Sequence, residues 1–171
     1  MASTYLDFAG AHVSLIVTLR YILWANIPIL GRATDYFTLS NLTCDYFHSL
    51  DSKDWNLLRT LVAPTLRTDY TELGGPIDEA VPADDFVARA SSVMFGDPLL
   101  RTHHLLGASK WSVDEKMHVT GRHQVRSESR ILASEGSKEV STESHRWVVV
   151  TVSYAKVDGA WKVSGIAPKS L

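Results

Sequence analysis

Met117-His118-Val119-Thr120-Gly121-Arg122-His123-Gln124-Val125-Arg126 alternates between two kinds of residue. Met117, Val119, Gly121, His123 and Val125 form one series, apolar or small except for the histidine, while His118, Thr120, Arg122, Gln124 and Arg126 form a wholly polar one. Successive side chains of a β-strand point to opposite faces, so a period of two predicts a strand with one face on a core, His123 included, and the other in solvent. The same period marks Thr102 to Val113, the whole of Met117 to Leu132, Glu143 to Val157 and, more briefly, Trp161 to Ile166. Between the last two, Asp158-Gly159 is a strong hairpin signal. The second half of the chain therefore reads as an antiparallel meander.

Upstream of Arg101 the period is helical. Leu39, Leu42, Tyr46, Phe47 and Leu50 recur on one helix face, and that helix is expected to end near Leu50 at Asp51-Ser52-Lys53. Asp54 is placed to cap a second, short helix bearing Trp55, Leu58, Leu61 and Val62, which Pro64 ends. A short strand over Leu66 to Thr71, a loop over Glu72 to Pro82, and a helix carrying Phe86, Val87, Ala90 and Met94, closed by Gly96-Asp97-Pro98, complete the reading. Helices segregated from a long antiparallel sheet define an α+β domain, with the helices packed in a curved sheet that encloses a pocket.

Composition agrees with a single core. The 171 residues are 45% hydrophobic and 21% charged, which suits one soluble globular domain. A net charge of −2 offers no excess of cations for a phosphate backbone, so nucleic acid is not an expected partner. The single cysteine, Cys44, cannot form an internal disulfide; it suits a reducing compartment, with a cytoplasmic location expected, and is read as a small helix-packing side chain. The stretch from Ala11 to Leu30 is long and apolar enough to raise the question of a bilayer. Arg20 at its centre and Asn26 and Pro28 in its second half argue instead for a helix packed on its own domain or on a partner subunit. Residues 1–37 are thus read as an N-terminal apolar helical extension and 38–171 as the α+β domain.

The candidate chemistry centres on histidine. His123 points inward, and one of His103 and His104 must do so if their stretch is a strand; two imidazoles facing one cavity from neighbouring strands form a candidate acid/base pair, since free imidazole titrates near pH 6.5. The alternative is that each is a core residue whose ring nitrogens are satisfied internally. No HxH, HExxH or Cys/His cluster supports a metal site, and GxSxG, GxGxxG and GxxxxGK[ST] are all absent, which removes an elbow hydrolase, a dinucleotide enzyme and a P-loop NTPase from consideration.

An ordered set of motifs then resembles scytalone dehydratase of fungal melanin biosynthesis. The set is Asp51-Ser52-Lys53-Asp54-Trp55, Ala63-Pro64-Thr65-Leu66-Arg67 with Asp69-Tyr70, Gly96-Asp97-Pro98 with Leu100-Arg101-Thr102 and His104, Gly121 with His123-Gln124, and Asp158-Gly159 with Trp161-Lys162. The resemblance covers roughly Thr38 to Pro168. It implies a cone-shaped roll of the kind shared with nuclear transport factor 2, a homo-oligomer (trimer or dimer), an active site inside the cone, and no cofactor or metal. The implied chemistry is loss of water from a cyclic polyketide alcohol. Carried over by position, His104 and His123 match the family's two active-site histidines, Asp51 the aspartate that orients the second of them, and Tyr70 one of two tyrosines.

Three family positions depart. Leu50 stands where the resemblance places the other tyrosine, Val148 where it places a serine, and Val150 where it places an asparagine. With Met94 these are the expected substrate-contacting residues, and their apolar character points away from scytalone towards a less hydroxylated, polyketide-derived small molecule. Dehydratase or isomerase chemistry by His104, His123, Asp51 and Tyr70 is the leading expectation. A cyclase or pericyclase of a natural-product pathway and a non-catalytic binding module are the alternatives. Because the family continues past the position of Leu171 with a segment that closes the site, the apolar stretch from Ala11 to Leu30 is expected to cover the pocket mouth or pack in a subunit interface.

Overall fold

The structure is a computed structural model that describes residues 33–171, of which 37–171 belong to one compact unit. The expectations for the Ala11 to Leu30 stretch lie outside the described residues. Helix α1 (Ala33–Ser52) presents Leu39, Leu42, Thr43, Tyr46, Phe47 and Leu50 as one buried stripe, the spacing read from the sequence. Cys44 lies off that stripe and is exposed, so it is not the packing residue expected of it. Lys53, with φ of 58°, turns the chain. Asp54 then caps α2 (Trp55–Leu61), its side chain accepting the Leu57 N–H at 2.8 Å.

Six strands follow in one sheet. They are β1 (Val62–Asp69), β2 (Ile77–Pro82), β3 (Leu100–Val113), β4 (Val119–Leu132), β5 (Val140–Val157) and β6 (Ala160–Ser170). Their spatial order is β2-β1-β6-β5-β4-β3, with β1 parallel to β6 and every other neighbouring pair antiparallel. Helix α3 (Ala83–Arg89), between β2 and β3, runs into a π-helical turn over Ala90–Met94.

Two expectations need correction. The first strand starts at Val62 rather than Leu66, because Pro64 ends α2 without preventing extended pairing. The segment read as a loop over 72–82 contains β2, whose ladder to β1 seats only Val81 in the core and so shows little apolar alternation. The hairpin between β5 and β6 forms as read, with Asp158 (φ 49°) and Gly159 (φ 81°) both in the left-handed region that such a turn requires.

The core lies between α1 and the concave face of β4, β5 and β6, where Val119, Val125, Val152, Val163 and Ile166 are buried. Helix and sheet are also joined by polar groups: the Tyr154 hydroxyl on β5 lies 2.5 Å from Thr43 Oγ1 on α1, and the Thr43 hydroxyl donates to the Leu39 carbonyl.

Candidate active site

Beyond Val125 the inward face of β4 stops being apolar and continues as Ser127 and Ser129. Opposite them on β5, Ser144 and Arg146 precede Val148 and Val150 on the same side, with Ser127 in register with Arg146 and Ser129 with Ser144. These residues, the face of α1 bearing Tyr46, Phe47 and Leu50, and Tyr70, Phe86 and Met94 enclose a cavity of about 370 Å³. That volume falls in the range of small-molecule sites, about 300–1,000 Å³.

His104 is the cavity's imidazole. On β3 it faces inward while His103 is exposed, and its ring lies 5.2 Å from that of Phe47 and 6.3 Å from that of Phe95, centroid to centroid. Asp51, in the last turn of α1, fixes the ring. Its Oδ1 lies 2.6 Å from His104 Nδ1 and accepts the Thr102 hydroxyl at 2.9 Å, and its Oδ2 accepts the His104 backbone N–H at 2.8 Å. Burial works against the carboxylate, but the hydrogen bonds and charge of His104 outweigh it and hold Asp51 below the usual carboxylate range. An ionised Asp51 can only accept, so Nδ1 carries the proton. Nε2 is then the basic nitrogen, 3.2 Å from the Ser127 hydroxyl on the cavity wall.

His123 does not join it. It is buried, at 1% exposure, and is absent from the cavity wall. Its Nε2 lies 3.1 Å from the Tyr154 hydroxyl and its Nδ1 2.8 Å from Ser109 Oγ. Because Thr43 donates to Leu39, Tyr154 must donate to Thr43, and His123 Nε2–H must therefore donate to Tyr154, leaving Nδ1 to accept from Ser109. Every atom in that chain is satisfied by a neutral imidazole, and burial lowers the His123 pKa to about 4. The expected pairing of Asp51 with His123 is thus replaced by Asp51 with His104, and the expected two-imidazole cavity by one holding a single imidazole among the described residues. The physical reason is depth: His123 lies one inward position deeper on β4 than Val125, the innermost β4 residue of the cavity wall, with its ring 5.1 Å from that of Trp111.

Tyr70, Leu50, Val148, Val150 and Met94 all line the cavity. Burial pushes the Tyr70 phenol up to about 12. Tyr46 also lines the cavity, and burial, then the proximity of Tyr70, raise its phenol well above its ordinary value. Both phenols therefore hold their protons at neutral pH. Sequence reasoning treated Tyr46 as core, although it stands one helical turn before Leu50 on the same face. It also left out Ser127, Ser129, Ser144 and Arg146, which the parity of β4 and β5 places inward. Glu128, Glu143 and His145 bring ligand atoms within 4.8 Å of one another, but on the opposite face of the sheet, where Arg130 pairs with both carboxylates.

A curved sheet closing over helices around an internal pocket defines the α+β cone of nuclear-transport-factor-2-like proteins. A Streptomyces avermitilis protein of that family superposes with a TM-score of 0.68 at 13% identity, covering 82% of this chain and 99% of its own. A hexachlorocyclohexane dehydrochlorinase from Novosphingobium barchaimii does so with a TM-score of 0.64 at 14% identity, covering 80% and 86%. These likenesses establish the fold alone. The chain belongs to the scytalone dehydratase family, whose model matches residues 32–170. A dehydratase of Pestalotiopsis microspora is 47% identical over 125 residues, 72% of this chain and 79% of its own length. The scytalone dehydratase of Pyricularia oryzae is 38% identical over 136 residues, 79% of each chain.

Proposed function

We propose that the protein is a dehydratase that needs no cofactor, acting on a cyclic, polyketide-derived β-hydroxy ketone less hydroxylated than scytalone. The observation that carries this reading is the Asp51–His104 pair, which turns Nε2 towards a cavity otherwise lined mainly by apolar and aromatic residues.

The steps follow from the residues. His104 Nε2 removes the proton from the carbon beside the ketone, and the C–H electron pair becomes an enolate. Tyr70 or Tyr46, both protonated, donates to the developing oxyanion. Asp51 stabilises the imidazolium so formed. The enolate then collapses, the carbon–carbon double bond forms, the β-hydroxyl departs, and the same Nε2 delivers its proton to the leaving oxygen as water. One imidazole performs both transfers, so hydrogen and hydroxyl leave from the same face of the ring.

The restriction to less hydroxylated substrates rests on Leu50, Val148 and Val150, which line the cavity without hydrogen-bonding side chains. The test is turnover of 3-hydroxy-1-tetralone, followed as fluorescent 1-naphthol, beside scytalone. Conversion of the simple tetralone, loss of that conversion in His104→Ala, and little turnover of scytalone are expected. Robust scytalone turnover would refute the substrate restriction. A full rate in His104→Ala would remove the acid/base reading and favour a cyclase that works by holding a folded conformer.

A further inference from the structure

Arg146 occupies an inward position on β5, in phase with Val148 and Val150, and contributes to the cavity wall. It is the one charged side chain there apart from the titratable His104, and no carboxylate lines the cavity among the described residues. Four other arginines behave differently. Arg59, Arg67, Arg89 and Arg130 each form an ion pair with an aspartate or glutamate. The side chain of Arg146, like that of Arg122 on the outer face, has no hydrogen bond or ion pair with any described residue. Arg146 is exposed at the serine-lined end of the cavity, and its planar fork of donors matches a carboxylate.

We infer that Arg146 binds a carboxylate of the substrate, so that the ligand class is a carboxylated aromatic or partly reduced aromatic ketone. The inference rests on the proposed dehydration and sharpens its substrate. Ser129 and Ser144, facing each other across β4 and β5 beside Arg146, offer hydroxyls to the same anion. Ser127, the register partner of Arg146, meets His104 Nε2, so the carboxylate belongs on or next to the ring that loses water. An unpaired cation at the cavity mouth also draws an anionic ligand in preference to its neutral isostere.

The probes are 3-hydroxy-2-naphthoate and its neutral carboxamide, whose affinities for the full chain are measured by titration calorimetry. The wild type is expected to bind the carboxylate at least tenfold more tightly than the amide, a preference that weakens as salt is raised. Arg146→Gln should abolish that preference while changing amide affinity less than threefold, which also shows that the variant is folded, and Arg146→Lys should keep part of it. Equal affinity for the two probes in the wild type, no measurable carboxylate binding, or an unchanged preference in Arg146→Gln would overturn the inference. The proposed dehydration is read separately. Turnover of 3-hydroxy-1-tetralone without carboxylate preference would leave that reading standing and remove this one, and carboxylate preference without turnover would do the reverse.

Discussion

Asp51 and His104 are joined twice: one carboxylate oxygen lies 2.6 Å from the ring nitrogen Nδ1, and the other accepts the backbone N–H of the same residue at 2.8 Å. The carboxylate thereby fixes the position of β3 as well as the tautomer of the ring it carries. Asp51→Asn would keep the shape but allow its amide N–H to favour the wrong tautomer. A fall in kcat of about 10²-fold or more is expected, measured on the simple tetralone, with a smaller change in KM. The carboxyl titrates below its usual range. Its stabilising contribution is therefore present above the unfolded-state pKa, near 3.9, and is lost as pH falls through the still lower folded value.

His123 should behave as a structural residue. His123→Gln is expected to keep kcat within about threefold while lowering stability by about 1–3 kcal/mol, read by urea unfolding, because the hydrogen-bonded chain to Tyr154 and Ser109 is disturbed. A loss of turnover comparable with that of His104→Ala would return His123 to the acid/base chemistry.

The same histidine predicts a pH dependence of stability. Its folded pKa of about 4 lies below the unfolded value near 6.5, so between these limits the unfolded chain binds a proton that the folded one refuses. Stability should fall as pH drops through that window, by about 3 kcal/mol at most from this group. His123→Gln should show a correspondingly shallower slope in unfolding experiments across pH 4 to 6.5.

Tyr70→Phe and Tyr46→Phe separate the two phenols. The one that donates to the substrate carbonyl should cost about 10²-fold in kcat on removal, and the other much less. With Tyr70 pushed up to about 12 and Tyr46 raised as well, neither should produce an alkaline loss of rate below about pH 10.

A stereospecifically deuterated tetralone tests the single-imidazole mechanism. With deuterium on the same face as the hydroxyl, label should be lost in product formation and the reaction slowed by an isotope effect. Retention of that label would require a second acid or base on the other face.

Gly121→Ala probes the packing beneath the cavity. A Cβ at this inward position of β4 would stand 2.9 Å from Trp111 Cζ3 and inside contact distance of His123 Nε2. A loss of about 1–3 kcal/mol is expected in urea unfolding, with the ring of His123 forced from its hydrogen bonds.

Much of this architecture was legible because period and parity are local properties of a chain. The alternation from Met117 to Val125 placed His123 indoors correctly, and the stripe from Leu39 to Leu50 gave the face of α1. What parity cannot report is depth along a strand. His123 and Ser127 share a face of β4, yet one is sealed under Trp111 and Tyr154 and the other touches His104. Matching His123 to a family histidine by its neighbours Gly121 and Gln124 paired it with Asp51, which instead meets His104. Tyr46, Ser127, Ser129, Ser144 and Arg146 were missed for the opposite reason, since a helical tyrosine reads as core and strand-end serines and arginine read as solvent. Carrying the inward phase past Val125 in β4 and before Val148 in β5 would have found four of the five.

The division of β4 at Val125 has a consequence for how such a chain changes over generations. From Val119 to Val125 each inward residue is buried, Val125 also meeting the cavity, and substitution there endangers folding. From Ser127 onward the inward residues touch the cavity and bury little apolar area, so their replacement costs little stability. A lineage can therefore exchange what the pocket accepts by altering Ser127, Ser129, Ser144 and Arg146 while the Asp51–His104 pair and the sheet beneath it stay constant. Diversification of substrate then proceeds by small steps that each leave a folded protein.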